Sequence, residues 1–403
     1  VDFDLEAPSF PSYEFFEKAG NNIGVVDYVS AYRDTGVAPV VKDHIVECHV
    51  DDTPIWVMPA GMHTEPAYAE KLNDIDWKDL YERQDGYLFF EDLKQQWVAF
   101  DGKGFDYVLI DSRTGHTDVG GICTRHLPDA VSIMFLPNHQ NITGLKPIVA
   151  NIRQENESRT DKIDIHITPS NVPDLDDENE ILSKLLKNAA DDLNLTDSFP
   201  NIIHHYQSLD ILTRNPFILT RPNTKLAKEL EELRLRIIGR NFEDKEGALY
   251  SLQKIPAQLD KARRNRKDET RSKLREEVLG IISFHEGDGE IAFAAATAFN
   301  SIGDRSEELN ALNVAINAGH ELDSAHLKRG FAHFVSNDID SATADLRCLL
   351  ASETASVFEL VPALQILQSF NGAWEDDVKV AFDRPDNQYS TLFAMMSYCN
   401  SFR

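Results

Sequence analysis

The stretch GFDYVLIDSRTG, residues 104–115, decides how the first half of this chain is expected to fold. Four apolar or aromatic residues, 107–110, lead directly into Asp111, and a Ser-Arg-Thr-Gly turn follows. A short apolar run bounded by turn formers predicts a buried strand. The carboxylate at its end has two interpretations. Asp111 is a turn former or helix cap, or it holds a cation at the carboxyl end of a parallel strand.

Length and composition bound the class of protein. The chain has 403 residues, of which 42% are hydrophobic and 27% charged, which indicates a folded protein of two or three domains. The net charge of −27 argues against a general nucleic-acid or membrane-surface binder. No apolar run approaches the roughly 20 residues that span a bilayer. The cysteines form no CxxC pair and are expected to be free thiols in a reducing, cytoplasmic setting: Cys48, Cys123, Cys348 and Cys399.

Apolar runs alternate with segments of helical length through the first 240 residues. Continuous apolar strands separated by such spacers predict a mostly parallel sheet with helices on both faces, an α/β domain that ends near residue 240. The runs, the last of them weaker, are residues 54–61, 107–111, 130–138, 162–171 and 201–206.

Residues 241–283 lack this strand pattern and are charged and helix-prone, which predicts a charged helical linker. Eight of the fifteen residues in 261–275 are basic. We favour a solvated helix face here over a docking patch for an acidic partner or nucleic acid.

Residues 284–403 contain an internal repeat, which predicts an all-α domain. Gly303 and Asn337 align at a spacing of 34 residues, the period of tetratricopeptide repeats (TPR). The first copy departs from that pattern at Glu308, where alanine is usual. Stacked repeats of this kind usually present a concave surface to a protein partner. The aligned pairs are Ala296 with Gly330, Gly303 with Asn337, Asp304 with Asp338, and Leu312 with Leu346.

The opening residues VDFDLEAP provide a second pair of carboxylates. In a strand, side chains two residues apart lie on the same side, so Asp2 and Asp4 are expected to point the same way. Two such residues alone are compatible with a strand-end turn. Together with Asp111 on a neighbouring strand they predict a cation site suited to Mg²⁺ and phosphate chemistry.

Three segments, VDFDLEAP (1–8), IDSRTGHTDVGGIC (110–123) and PDAVSIMFLPNHQNITGL (128–145), resemble the ParA/MinD class of deviant P-loop ATPases. They are most similar to the bacterial subgroup with a variant KGGVGR motif. The resemblance covers about residues 1–240. It implies a P-loop NTPase-like sheet, Mg²⁺ and ATP as cofactors, and slow hydrolysis coupled to dimerisation or to contact with a protein partner. A bacterial defence system is one setting that the family suggests.

The resemblance also implies roles for individual residues. Asp4 is similar to the switch I aspartate near the attacking water, and Asp111 to the Walker B aspartate, which usually reaches Mg²⁺ through water. These two residues are the expected catalytic and metal-contacting pair, with Asp2 as a further cofactor-binding residue. Asn171 lies where relatives place an asparagine near adenine, although an asparagine after a strand is also a common turn residue.

The loop after Asp111 resembles switch II, which senses the γ-phosphate. Ser112, Arg113 and Gly115 are therefore expected to contact the cofactor, Gly115 through its backbone N–H. Arg113 stands where many relatives have proline, and pairing with a phosphate and pairing with Asp118 both remain open.

One departure from the family concerns the glycine-rich phosphate loop and its lysine, which these 403 residues do not contain. In relatives this loop lies about thirty residues before the VDFD segment, so it is expected before Val1. We therefore expect ATP binding by a longer chain and poor binding by residues 1–403 alone. The alternative is a non-catalytic interaction scaffold with a degenerate nucleotide-binding domain.

Overall fold

The computed structural model describes residues 1–112, 118–173, 178–195, 199–207, 217–264 and 269–370. The chain separates into two compact units, Val1–Leu233 and Arg234–Arg403. The division falls slightly before residue 240, where the sequence pattern predicts the end of the α/β domain. None of the helices in the described ranges is long and apolar enough to cross a membrane.

The first unit mixes helices with short strands. Its strands are Asp2–Phe3 (β1), Val46–Val50 (β2), Thr53–Val57 (β3), Asp111–Ser112 (β4), Ala130–Phe135 (β5) and Asp164–Pro169 (β6). Its helices are Val25–Thr35 (α1), Pro66–Asp74 (α2), Trp77–Arg83 (α3), Gly86–Val98 (α4), Asp118–Gly121 (α5), His139–Ser158 (α6), Ser183–Asp192 (α7), Phe217–Thr220 (α8) and most of Lys225–Ile238 (α9).

The strands of the described residues pair as three separate two-stranded sheets. The pairs β1–β4 and β5–β6 are parallel, as expected, whereas β2–β3 is antiparallel. The apolar run at 54–61 thus belongs to a hairpin and not to a parallel crossover. Its turn is short, with Val50 opposite Thr53 and Asp51 at a φ of 51°, which reverses the chain before a helix can intervene. A continuous P-loop-type sheet is not seen in the described part of the chain.

Backbone hydrogen bonds continue beyond the short strand β1 on both of its sides. The Asp2 N–H donates to the carbonyl of Met58, the residue after β3, over 2.9 Å. On the other side the Val1 nitrogen donates to the Leu109 carbonyl over 2.7 Å, and the Asp111 N–H donates to the Val1 carbonyl over 2.9 Å. β1 therefore lies between the end of the hairpin and the apolar run that enters β4.

The outer edge of residues 108–110, which faces away from β1, pairs with no strand among the described residues. Leu109 on this run is 77% exposed, and Met134 on β5 is 47% exposed. The apolar run is thus half-covered, although its composition predicts a strand buried on both faces.

Among the described residues, two larger hydrophobic cores and two small clusters support the first unit. The larger packs β1 against α1 and α4 and includes Phe3, Tyr28, Phe89, Phe90 and Leu93. The other packs β5 and β6 against α6 and α7 and includes Phe135, Ile142, Val149, Ile167 and Leu193. No residue belongs to both cores, which agrees with the separation of the β1–β4 and β5–β6 pairs.

The start of α1 is fixed against the segment that follows β3. The Val25 and Val26 N–H groups, which lack partners inside the helix, donate to the carbonyls of Pro59 and Ala60 over 2.9 and 3.0 Å. A Cβ on Gly24 would lie 1.8 Å from the Pro59 oxygen, so a side chain cannot be accommodated there. This contact holds the strand beside β1 in place.

The second unit is helical. After the end of α9 it contains Lys245–Arg264 (α10), Glu269–Phe284 (α11), Gly289–Ile302 (α12), Arg305–Asn317 (α13), Leu322–Val335 (α14), Ile339–Ala351 (α15) and Val357–Ser369 (α16). The segment 241–283, expected as a linker, instead supplies α10 and α11, which bury Leu252, Ile255, Val278 and Ile281 in one core with α12 and α13.

The aligned repeats form two matching helical hairpins, α12–α13 and α14–α15. Gly303 and Asn337 end the first helix of each hairpin in the left-handed region, with φ of 81° and 61°. Asp304 and Asp338 then cap the second helix by accepting N–H groups of its first turn. A Cβ on Gly330 would lie 2.9 Å from the Leu346 side chain, which explains the small residue at that position.

Glu308, the departure from the repeat pattern, is buried, with 3% of its surface exposed. Its carboxylate accepts hydrogen bonds from Asn300 Nδ2 over 2.9 Å and from Arg305 Nη1 over 2.5 Å. The equivalent Ala342 in the second hairpin is also buried. The first hairpin therefore replaces an apolar contact between helices with a buried polar network.

Candidate carboxylate site at the end of β1

The register of the β1–β4 pair brings two predicted site residues together. Asp2 lies directly opposite Asp111, and Phe3 lies opposite Ser112. Because paired residues of parallel strands project their side chains from the same face, the Asp2 and Asp111 carboxyl groups share one side of the sheet. The predicted juxtaposition of the opening segment with the strand at 107–111 is therefore observed.

Asp4 completes the group from the loop that follows β1. Its N–H donates to Asp2 Oδ1 over 3.2 Å, which folds the loop back over the strand end. The Tyr68 hydroxyl donates to the Leu5 carbonyl over 2.6 Å in a buried contact, and it holds the next residue of the loop. Asp4 and Asp111 are close enough that the charge of Asp4 acts on Asp111.

Burial and mutual repulsion make the carboxylates of Asp2 and Asp111 unfavourable as anions. Asp2 is fully buried, and that burial, followed by the charge of Asp111, raises its pKa from 3.8 to about 6. The pKa of Asp111 is also raised, first by desolvation and then by the charge of Asp4. A bound cation would relieve both effects.

Asp2 and Asp4 supply some, but not all, of the oxygen ligands that a divalent cation needs. Asp2 Oδ2 and Asp4 Oδ1 are buried oxygens without a hydrogen-bond partner, and carboxylate oxygens are the ligands that Mg²⁺ prefers. Within the described ranges, no group of three or more His, Cys, Asp or Glu side chains is arranged to hold a metal by itself. Protein Mg²⁺ sites commonly use one or two carboxylates and leave the other positions to water and phosphate oxygens.

The remaining predicted residues are placed as follows. Ser112 lies in β4 directly after Asp111. Arg113 and Gly115 fall outside the residues that the structure describes.

Asn171 is an exposed residue just after β6, with a φ of 55°. Its Oδ1 lies 2.7 Å from His205 Nδ1. This backbone geometry is typical of an asparagine in a turn after a strand, the second interpretation given for this residue. β6 also belongs to a different sheet from β1 and β4. A role for Asn171 beside a nucleotide base stays a prediction.

Sequence reasoning missed the residues that fix the surroundings of this site. Asp27 Oδ1 pairs with Lys71 over 2.6 Å while its Oδ2 accepts the Gly24 N–H over 3.1 Å, which ties α1 to α2. Tyr68 on α2 packs against Gly61 and reaches Leu5. The one available signal was the Pro-Ala-Gly segment after β3, which marks a close approach of backbone segments.

No family model, curated protein or solved structure matches this chain significantly.

Proposed function

We propose that the first unit is an ATP- and Mg²⁺-dependent switch of the ParA/MinD class, and that the helical repeats of the second unit bind a protein partner. The observation that carries the proposal is the convergence of Asp2, Asp4 and Asp111 at the end of β1, with two buried carboxylate oxygens that lack partners. A buried like-charge group of this kind is more typical of a functional site than of a structural one.

In this proposal the carboxylates act by position and charge. With Mg²⁺ bound, Asp111 would hold its hydration shell, Asp4 would orient water beside it, and the charge of Asp2 would make the electrostatic potential at the site more negative. The bound ion supplies charge neutralisation for the phosphates. The nucleotide state is communicated to a second copy of the chain or to a protein partner in a bacterial cytoplasm.

The proposal also requires a phosphate loop, which residues 1–403 do not contain. The outer edge of 108–110, where the Leu109 side chain is 77% exposed, supports a place for it. A strand added in parallel along this edge would end beside Asp111, where a glycine-lysine loop could reach the same nucleotide.

The direct test is metal binding by the 403-residue chain. Mn²⁺ replaces Mg²⁺ in a titration, and electron paramagnetic resonance measures the bound fraction of the ion. We expect Asp111→Asn to weaken Mn²⁺ binding at least about tenfold, because a carboxylate that orients the metal shell is lost. Asp106→Asn, a change to an exposed aspartate on the same segment, is the matched control and should leave binding unchanged. Equal affinities in wild type and Asp111→Asn would remove Asp111 from the site.

A second candidate function is a non-catalytic scaffold in which the first unit no longer binds nucleotide. It is favoured by the lack of a phosphate loop within the 403 residues together with the well-formed hairpins α12–α13 and α14–α15. The scaffold predicts that neither Mn²⁺ nor Mg²⁺–ATP changes the thermal stability of the wild-type chain, whereas a switch predicts stabilisation by at least the metal.

A further inference from the structure

A second candidate site lies in the first unit, where β5 and β6 begin. It is a cavity of about 800 Å³, a volume typical of small-molecule sites. Helices α3 and α4 form one wall, and the π-helical turn Ile122–His126 and the end of α6 form the other. None of its lining residues belongs to the carboxylate site described above.

One wall of the cavity is a rigid aromatic group centred on His126. His126 Nδ1 lies 2.8 Å from the Tyr81 hydroxyl, and Nε2 lies 3.0 Å from Glu91 Oε1. Burial lowers the pKa of His126, although Glu91 opposes this. Because an ionised carboxylate only accepts, the ring donates from Nε2 to Glu91. Tyr87 stacks on the imidazole at 4.2 Å and 12°, and is 57% exposed. Its free face, with Trp77 nearby in the lining, offers a flat apolar surface.

The charged residues of the lining divide into paired and unpaired groups. Lys94 lies 3.8 Å from Asp129, and Lys78 lies 3.7 Å from Glu82. The Arg159 guanidinium donates to the carbonyls of Arg125 and Asp161, over 2.9 Å in each case.

Three charged side chains of the lining have no partner among the described residues: the Arg125 guanidinium and the carboxylates of Glu155 and Asp161. Opposite charges therefore line one cavity without forming ion pairs with each other. Such an arrangement is complementary to a ligand that carries both charges on adjacent atoms.

We propose that this cavity binds a zwitterion with an aromatic side chain, of the class of free aromatic α-amino acids. The ligand carboxylate pairs with Arg125, since a guanidinium matches the two carboxylate oxygens. The ligand ammonium lies between Glu155 and Asp161, and the ligand ring stacks on Tyr87 and Trp77. All of these groups project from helices or from short turns between elements of the first unit.

Isothermal titration calorimetry with L-phenylalanine tests the proposal, with phenylalanine amide and N-acetylphenylalanine as probes that each lack one charge. We expect wild type to bind L-phenylalanine more tightly than either probe. Arg125→Gln should weaken L-phenylalanine binding about tenfold or more and leave the amide unaffected, because the amide has no carboxylate for Arg125. Arg153→Gln is the matched control, because Arg153 is an arginine of α6 that does not line the cavity.

Far-UV circular dichroism of both variants separates loss of binding from loss of folding. Two results would overturn the proposal. One is the absence of L-phenylalanine binding to wild type at millimolar concentration, both by calorimetry and by saturation-transfer NMR. The other is binding that is equally tight for all three compounds or that is unchanged in a folded Arg125→Gln variant.

Discussion

Asp2 is a buried carboxylate whose ionisation lowers the stability of the folded protein. Its folded-state pKa of about 6 lies above the ordinary value of 3.8, so the folded protein resists ionisation of this group. The sign follows from linkage: stability is fully retained below about pH 4 and falls as the pH rises through 6. The shift corresponds to about 3 kcal/mol, as an order of magnitude.

Asp2→Asn is therefore expected to raise the free energy of unfolding of the metal-free protein at pH 8 by roughly 1–3 kcal/mol, and by much less at pH 4. Urea denaturation at the two pH values measures this difference. Asp106→Asn serves as the exposed control. A loss of stability in Asp2→Asn that is larger at pH 8 than at pH 4 would show that a partner stabilises the ionised carboxylate and that burial does not disfavour it.

Site residues at strand ends could be anticipated because their geometry is local. Asp2 and Asp4 share a side through the period of two, and Asp111 follows an apolar run that ends in a turn. Tyr68 and Gly24 could not, because their roles depend on contacts with Leu5 and Pro59, which are remote in the chain. No local pattern encodes such a contact.

At the scale of elements, the helical hairpins rest on caps that the repeat alignment identified. Asp304 and Asp338 occupy equivalent positions, but Asp304 is also bound by Arg275 Nε over 2.6 Å and is the less exposed of the two. Asp338 has His333 as its neighbour at 3.3 Å. The two sites offer an internal comparison of the same cap with and without an arginine.

We expect Asp338→Ala to lower the free energy of unfolding modestly, because the side chain that accepts the Ser341 N–H at the start of α15 is lost. Asp304→Ala should lower it by about 2 kcal/mol, because Arg275 also loses its shorter carboxylate contact and keeps the 3.5 Å contact with Glu307. Urea denaturation followed by circular dichroism compares them. The interpretation fails if both variants lose the same stability, or if Asp338→Ala is the more damaging.

The strand elements were less predictable than the helices, for a physical reason. Turn geometry at Gly303 and Asn337 is set by a few adjacent residues, so the repeat alignment located it correctly. The strand pattern did not predict the hairpin β2–β3. Its local signals are the alternation of apolar and polar residues over 46–50 and the short turn at Asp51. The apolar run after that turn resembles a parallel core strand in composition, and composition alone does not show which partner a strand has.

At the scale of the whole molecule, the change from apolar strands to helical periodicity located the division into two units within a few residues. No change in the sequence pattern separates the two larger hydrophobic cores of the first unit, since both are built from similar apolar strands and helices. The sheet is consequently less continuous than the strand pattern alone suggests.

The exposed edge of 108–110 also bears on how copies of this chain behave in concentrated solution. A flat apolar edge with Leu109 77% exposed is a template for edge-to-edge pairing, whereas the net charge of −27 repels neighbouring copies. Salt shortens the range of that repulsion from about 10 Å at 0.1 M to about 3 Å at 1 M. Sedimentation velocity should therefore show self-association that increases with ionic strength, and Leu109→Lys should suppress it. Association that instead weakens with added salt would mean that charge attraction, not the bare strand edge, brings the copies together.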